Sequence, residues 1–297
     1  MIRGIPAAAS NLKPISKLRV AAAQMKFRDL PAENLDWIGE VAHRKAREGV
    51  DAILFPECAV TGYNRDFDGL SRATATARRA LEFLSQTARR ARCHLLVGCP
   101  TFTGARLFNS LVVFDRRGRE TFRYSKIHLT ARDRRFFAPG NSIAFFHLDR
   151  VPCTAIICHE RRFPELVRLP VMLGAQILFH PNAGLDSLPV SKAKRKGRDG
   201  IVARAFENEI FYVFANSVGP QGDGLWSAGD SKIVGPDSRI LALANNRDAR
   251  VIDAELDLTK AGRQYAREAL VQPAFLRAHW RSLLAACRRQ LRKSKTT

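Results

Sequence analysis

The chain has 297 residues, of which 46% are hydrophobic, and this is enough for one large domain or two smaller ones. Lys and Arg outnumber Asp and Glu by 49 to 28, and the formal net charge of +21 favours an acidic substrate or a polyanionic partner. No apolar run approaches the roughly 20 residues of a membrane span, so we expect a soluble protein without membrane contact.

Apolar runs alternate with amphipathic segments along the first half of the chain. The run DAILF is apolar after its first residue and predicts a short buried strand. Between 74 and 92, alanines and leucines recur at intervals of three and four residues, which predicts a helix with one apolar face. In chain order, the sequence predicts a strand at 17–25, a helix at 31–47, a strand at 51–55, a helix at 74–92, a strand at 94–102 and a hairpin at 110–126.

The second half of the chain continues the alternation. Pro164 suits the first position of a helix, whereas Pro273 must interrupt the last helical segment. The predicted elements are a strand at 153–158, a helix at 164–173, a strand at 175–180, a helix at 200–209, a strand at 211–216, a hairpin at 232–244 and a mainly helical segment at 259–293. Strands that alternate with helices, with two hairpins inserted, predict mixed α/β layers.

Three residues stand where reactive groups are expected. Glu57 and Cys158 lie at the ends of buried strands, and Lys126 lies just beyond the first hairpin. A nucleophile on a strand-to-helix turn is exposed beside backbone N–H groups, and a helix N-terminus favours thiolate. Glu57 can take the thiol proton and Lys126 can stabilise an oxyanion. A surface acid, a packing cysteine and an exposed lysine are the alternatives, because spacing alone cannot bring the three residues together.

Five motifs follow one another along the chain: LFPECAVTGY, YSKIHL, IICHERRFPE, ARAFENEIFYVFAN and AGDSKIVGPDSRILA. Together they resemble the carbon–nitrogen hydrolase, or nitrilase, superfamily over about residues 18–280. The resemblance implies an α/β fold of the four-layer α-β-β-α sandwich type, with Glu57, Lys126 and Cys158 as a catalytic triad. It also implies that no metal or organic cofactor is needed, and that the chain forms a homodimer or a higher homo-oligomer.

The reaction implied by the resemblance is hydrolysis of a non-peptide C–N bond in an amide or N-carbamoyl compound. It proceeds through a cysteine thioester and releases ammonia or an amine. One alternative is a nitrilase, which converts a nitrile to an acid and ammonia, and another is acyl transfer to an amine. An alternative from a different class is a non-catalytic basic interaction protein on this fold, although such a scaffold has no need of all three groups.

Four further residues are predicted to bind substrate. Asp133 lies seven residues after the triad lysine, where the family usually has glutamate. His159 and Arg162 follow the cysteine in CHERRFPE, which resembles carbamoyl-amino-acid hydrolases whose paired arginines can meet a substrate carboxylate; a structural role is the alternative for Arg162. Asn182 is predicted to hydrogen-bond a substrate carbonyl. Glu160 resembles the acid of nitrile-cleaving members.

The basic segment KAKRKGR, at 192–198, carries five Lys and Arg residues. In the resembling family this segment helps to form the rim of the pocket, so an anionic small-molecule substrate is expected; a solvated basic face is the alternative. Neither this segment nor the basic run at 288–295 has interleaved aromatic residues. Nucleic-acid binding is therefore not expected as the main function, although the net charge leaves it open.

The chain is predicted to hold one domain, the carbon–nitrogen hydrolase domain, at 18–280. Residues 1–17 are predicted to be a flexible basic arm, with an organelle-targeting leader as the alternative, because they lack the continuous apolar core of a secretory signal. Residues 281–297 are predicted to be a basic C-terminal tail. The six cysteines show no CxxC pair, so we expect reduced thiols in a cytoplasmic protein, with packing roles for all except Cys158.

Overall fold

The computed structural model describes residues 15–63, 74–193, 200–271 and 273–293. The strands are β1 (Lys17–Gln24), β2 (Ala52–Leu54), β3 (His94–Thr103), β4 (Arg106–Phe114), β5 (Glu120–Ser125), β6 (Phe146–Leu148), β7 (Val151–Ala155), β8 (Ile177–Asn182), β9 (Asp186–Ser187), β10 (Phe211–Asn216), β11 (Val218–Gly222), β12 (Leu225–Ala228), β13 (Lys232–Val234), β14 (Ile240–Leu243) and β15 (Arg250–Asp257). The α-helices are α1 (Pro31–Arg47), α2 (Thr74–Ala91), α3 (Glu165–Leu173), α4 (Leu188–Ala193), α5 (Ile201–Asn208), α6 (Gln264–Glu268) and α7 (Arg277–Lys293).

Two six-stranded sheets of similar design form the centre of the molecule. The first has the strand order β15-β1-β2-β3-β4-β5 and the second has the order β14-β13-β10-β8-β7-β6. Each sheet has three parallel strands in its middle, namely β1, β2 and β3 in the first and β7, β8 and β10 in the second. The two predicted hairpins, β4–β5 and β13–β14, extend these parallel strands. Strands β9, β11 and β12 form a small third sheet.

The sheets pack face to face and the helices cover their outer faces. Leu54 and Phe179 belong to the apolar cluster between the sheets. Ile53, next to Leu54, instead packs with residues of α1 and α2 such as Leu84. Residues of α3, α5 and α7 pack with Tyr212 on the outer face of the second sheet. These layers are the predicted α-β-β-α sandwich, and burial on both faces explains why the central strands are continuously apolar.

The segment that follows β7 differs from the sequence prediction. Residues Cys158–Arg162 form a short 3₁₀ turn, and the α-helix begins only at Glu165, with Pro164 as its N-cap rather than its first residue. The predicted helix at 164–173 is thus present as α3, but Cys158 lies in the 3₁₀ turn before it, so the expected effect of an α-helix N-terminus on the thiol is missing. A 3₁₀ helix is wound more tightly than an α-helix and commonly forms short connections such as this one between β7 and α3.

The C-terminal segment is helical and is broken at Pro273, as predicted: α6 lies before this proline and α7 lies after it. The predicted domain boundary at residue 280 falls inside α7. Leu284 and Cys287 of this helix are buried in the apolar cluster on the outer face of the second sheet. Leu284 and Cys287 thus pack with the domain, and Gln290 Nε2 donates to the Asn141 carbonyl over 2.7 Å. Across the described ranges, no helix is long and apolar enough to cross a bilayer.

The turn between β13 and β14 gives a test of backbone strain. Ser238 has a φ of 67°, in the left-handed region that costs a residue with a Cβ atom about 1–2 kcal/mol. Glycine relieves this strain but loses more backbone entropy on folding, so only part of the gain remains. Ser238→Gly should therefore raise the free energy of unfolding by about 0.5–1 kcal/mol, measured by urea denaturation. Ser238→Ala keeps the Cβ atom and serves as the control. A gain as large in the alanine variant would mean that the hydroxyl, and not the backbone, causes the strain.

Candidate active site

The sandwich brings the three predicted catalytic residues together from different sheets. Glu57 follows β2 of the first sheet, Lys126 directly follows β5 of the same sheet, and Cys158 follows β7 of the second. The carboxyl ends of parallel strands commonly carry the functional groups of α/β proteins. Packing of the two sheets brings Cys158 next to Glu57 and Lys126, which the sequence alone could not show.

Glu57 is fully buried and its carboxylate is held at both oxygens. Lys126 Nζ and Asn109 Nδ2 each donate to Oε1 over 2.8 Å, and the Ala183 backbone N–H donates to Oε2 over 3.1 Å. Burial raises the pKa of Glu57, against the opposing effects of Lys126 and Asn109. A carboxyl group with a raised pKa accepts and returns a proton more readily near neutral pH, as a general base must.

Lys126 lies between two carboxylates. Its Nζ is 2.8 Å from Glu57 Oε1 and 2.8 Å from Asp133 Oδ2, and all three side chains are buried. Although burial lowers the pKa of an ammonium group, Glu57, Cys158 and Asp133 together hold the pKa of Lys126 well above its usual value. Lys126 is therefore a cation near neutral pH.

Asp133 is a partner of Lys126 rather than a residue of the cavity wall. It accepts hydrogen bonds from Tyr63 O–H over 2.8 Å and from the Thr130 N–H over 2.9 Å. Burial would raise the pKa of Asp133, but Lys126 and these donors lower it, so the group stays ionised. Asp133 is 1% exposed and contacts Lys126, so its position does not support the predicted contact of Asp133 with substrate.

Cys158 begins the 3₁₀ turn with a φ of 51° and is partly exposed, whereas the other five cysteines are buried. The His180 Nε2–H donates to the Cys158 carbonyl over 3.1 Å, and Tyr212 O–H lies 2.9 Å from His180 Nδ1. Burial and the neighbouring Glu57 carboxylate raise the pKa of Cys158 to about 12. The resting group is a thiol, so it needs a base to become a nucleophile, and Glu57 was expected to be that base.

Glu160 has a structural position that the sequence did not indicate. Its buried carboxylate accepts from Tyr124 O–H at 2.9 Å, from the Ile127 N–H at 2.7 Å and from the Ile157 N–H at 2.7 Å. These bonds fasten the loop after Lys126 to the segment before the cysteine. Since Glu160 is bonded inside the protein, it cannot distinguish a nitrile from an amide by contact.

A cavity of about 470 Å³ opens beside Cys158. Three of the predicted substrate-binding residues, His159, Arg162 and Asn182, line it, together with Tyr63, Arg161 and Phe214 among others. Of the predicted basic rim, residues 194–198 lie outside the described residues, and Lys192 belongs to α4.

The sequence interpretation did not include Asn109, Ala183 or His180. Asn109 and His180 are polar residues inside largely apolar strands, and both are buried. A polar residue within an apolar strand is the sequence signal that could have indicated both, because a buried polar group needs a hydrogen-bond partner. The partner of Asn109 is Glu57, and that of His180 is the Cys158 carbonyl. Ala183 acts through its backbone N–H, which its side chain does not reveal.

Comparisons with known proteins identify the family. Residues 19–265 match the family model described as carbon-nitrogen hydrolase. A protein of Pyrococcus abyssi named nitrilase is 31% identical over 248 residues, which are 81% of this chain and 90% of that protein. The 2-oxoglutaramate amidase of Bacillus subtilis is 29% identical over 239 residues, 78% of this chain and 87% of the relative.

A solved structure has the same architecture. The amidase of Nesterenkonia sp. AN1, in complex with butyramide, superposes with a TM-score of 0.75 at 25% identity over 89% of this chain and 97% of its own. In another structure of that amidase, acrylamide has added to the active-site cysteine. This second comparison has a TM-score of 0.75 at 24% identity and covers 89% of this chain and 99% of the other.

The state of the Cys158 thiol predicts how it reacts with iodoacetamide. Cys158 should be modified first at pH 7, because the other five thiols are buried. With a pKa of about 12, its thiolate fraction and hence its labelling rate should rise about tenfold per pH unit between pH 7 and 9. Mass mapping of time points gives both the order and the rate. Earlier labelling of Cys58 or Cys153, or a rate that levels off below pH 8, would contradict this description.

Proposed function

The chain belongs to the carbon–nitrogen hydrolase family, and from this membership we propose which residues carry out its reaction and which substrates it takes. The enzyme hydrolyses an amide-type C–N bond through a cysteine intermediate. In the proposal, Cys158 is the nucleophile, Glu57 the general base and Lys126 the cation that stabilises the oxyanion. The observation that carries it is the buried Glu57–Lys126 ion pair of 2.8 Å beside the one partly exposed cysteine among the described residues.

The mechanism begins with transfer of the Cys158 proton to Glu57. The sulfur attacks the carbonyl carbon, and Lys126 and the His159 backbone N–H, in the first turn of the 3₁₀ segment, stabilise the oxyanion. Glu57 then gives the proton to the nitrogen and the C–N bond breaks. Ammonia departs, and the acyl group remains bound to Cys158 as a thioester. Water activated by Glu57 attacks the thioester, which restores the thiol and releases the acid. General acid–base help of about 10²–10⁴-fold adds to about 10²–10³-fold for each oxyanion donor.

The proposed substrate is an amide or carbamoyl compound that carries a carboxylate. Arg132, Arg161 and Arg162 line the cavity, and Arg162 is exposed at its wall. Of the two acids on the wall, Asp230 lies 2.8 Å from the buried Lys232 and is neutralised there. The cavity is therefore positive, and arginine is well suited to bind a planar carboxylate.

A nitrile is the second candidate substrate. The observation that favours it is the 31% identity with the relative named nitrilase. The same residues would serve this reaction, because a thiol adds to a nitrile carbon as it does to a carbonyl carbon and water completes the hydrolysis. Comparing ammonia release from succinamide and succinonitrile separates the two candidates.

We also propose that the chain acts in the cytoplasm as a homo-oligomer. Large apolar side chains are exposed on the helical layer that covers the second sheet, including Phe206 on α5, Tyr265 on α6 and Leu283 on α7. Apolar side chains exposed on neighbouring elements are typical of subunit contacts. A monomeric mass in light scattering of the purified protein would argue against this part of the proposal.

The assignment of the nucleophile is tested by ammonia release. Cys158→Ala should abolish turnover and leave the fold intact, and Glu57→Gln should slow turnover by about 10²-fold or more because it removes the base. Cys287→Ala changes a buried thiol on α7 and is the matched control, with activity near that of the wild type. If Cys158→Ala kept a tenth of the wild-type rate, Cys158 would not be the nucleophile.

The charge of the substrate is tested with succinamate and butyramide, which share a four-carbon amide but differ in one carboxylate. Arg162→Ala should lower kcat/KM for succinamate about tenfold or more and leave butyramide nearly unchanged, because it removes a charge-assisted hydrogen bond. Raising salt from about 0.02 to 0.3 M should weaken the preference, since the screening length falls from roughly 20 to 6 Å.

The control for Arg162 is Arg239→Ala, which removes the same charge from an exposed arginine in the β13–β14 turn. This variant should leave the ratio of the two kcat/KM values unchanged. Equal effects of the two arginine substitutions, or equal rates for the two compounds at every salt concentration, would exclude a carboxylate-binding role for Arg162.

A further inference from the structure

We propose that Asn182 accepts a hydrogen bond from the N–H group of the scissile amide and so selects amides and carbamoyl compounds over esters of the same acid. The inference rests on the proposed function, since it concerns the same cavity. It assigns to Asn182 the opposite role to the one predicted from the sequence, where this side chain was expected to donate to a substrate carbonyl.

The neighbouring Asn216 determines which way the Asn182 amide points. Asn216 Nδ2 lies 2.7 Å from the Gly229 carbonyl, which can only accept, and Asn216 Oδ1 lies 3.2 Å from the Gly184 N–H, which can only donate. These two backbone partners fix the oxygen and nitrogen of Asn216 without reference to any side chain.

Asn182 must then present a donor to Asn216. Its Nδ2 lies 2.8 Å from Asn216 Oδ1, and reversing the amide would place two acceptor oxygens against each other. The nitrogen is thereby engaged with the protein. What Asn182 has left is the acceptor Oδ1, which is buried and has no hydrogen-bond partner within the described ranges. A buried acceptor without a partner is destabilising, and a ligand that donates to it relieves this penalty.

The position of Asn182 is next to the atoms that react. Asn182 ends β8 and lines the cavity together with Cys158. The next residue, Ala183, donates its N–H to Glu57 Oε2, the carboxylate that returns a proton to the leaving nitrogen in the proposed mechanism. Two residues earlier, on the same face of the strand, His180 contacts the Cys158 carbonyl. Asn182 therefore lies close to both the nucleophile and the base.

An acceptor at this place distinguishes leaving groups by chemistry. A primary amide or a carbamoyl group brings N–H donors to the reacting carbon and can satisfy Asn182 Oδ1. An ester of the same acid brings only an oxygen, which leaves the acceptor unpaired and facing another lone pair. Sites built around such a hydrogen bond discriminate strongly against the analogue that lacks it. A nitrile also lacks an N–H group when it first binds.

The test compares Asn182→Leu with the wild type on succinamate and on monomethyl succinate, which give the same acyl group. We expect kcat/KM for the amide to fall about 10–100-fold and that for the ester to stay level or rise. Ester turnover also shows that the variant is folded and that its nucleophile works. Leucine has nearly the shape of asparagine, so the loss does not come from a cavity.

Asn208→Leu is the matched control. Asn208 is also fully buried and its Oδ1 also has no hydrogen-bond partner in the described part of the chain, but it belongs to α5 and does not line the cavity. The same substitution there should leave the ratio of amide to ester kcat/KM unchanged. A change in that ratio as large as the one at Asn182 would overturn the inference.

Two outcomes at Asn182 would also overturn it. Equal losses for the amide and the ester would mean a merely structural role, and no change in either would mean that the acceptor does not meet the leaving group. Binding to Cys158→Ala by calorimetry gives a readout without turnover, in which adding Asn182→Leu should weaken succinamate about tenfold and leave monomethyl succinate unchanged. Failure of the proposed function is recognised separately, by turnover that survives Cys158→Ala.

Discussion

The buried ammonium group of Lys126, held by two carboxylates, is the interaction on which the site depends. A single charge in such a place would cost several kcal/mol, so none of the three groups is stable there alone. Lys126 offsets one of the negative charges, and hydrogen-bond donors meet the rest: Asn109 and the Ala183 N–H on Glu57, and Tyr63 on Asp133. The arrangement leaves one net negative charge beside the thiol.

The two carboxylates differ because their surroundings differ. The pKa of Glu57 is raised, chiefly by burial, whereas the pKa of Asp133 is lowered because Lys126 and two further donors outweigh its burial. Paired acids whose pKa values are pushed apart divide the work between them. Glu57 is the one that can exchange protons with Cys158, and Asp133 keeps the ammonium charged and in place while this happens.

The sequence predicted the layers well, because their signals are local. Alternation of apolar strands with amphipathic helices indicated mixed α/β layers, the resemblance to the family implied the two-sheet sandwich, and α1 has the predicted bounds. Strand β15 was not predicted because it lies at a sheet edge and carries acids, two of which pair with Lys17 and Arg19 of β1. Strands β6, β9, β11 and β12 are short and lie outside the predicted runs.

The site was predictable in its parts but not in its bonding. Motifs indicated Glu57, Lys126 and Cys158, since each stands at the end of a recognisable element. The direction of the Asn182 amide could not be read from the sequence, because it depends on Asn216 of another strand and on the backbone groups of Gly184 and Gly229 that orient it. The expected help of an α-helix N-terminus for the Cys158 thiolate is missing, because a 3₁₀ turn and the start of an α-helix look alike in sequence, yet the helix macrodipole belongs to the longer element.

Because the reactive groups follow strands of both sheets, neither sheet alone can be exchanged between proteins as a catalytic unit. Lys126 and Glu57 belong to the part of the chain that precedes β6, and Cys158 belongs to the part that begins with β6. Neither part is a module with chemistry of its own, and the first sheet is completed by β15, which comes from the second part. A chain divided in the segment between β5 and β6 would be a split enzyme, and any activity recovered on mixing its fragments would measure reassembly of the interface between the sheets.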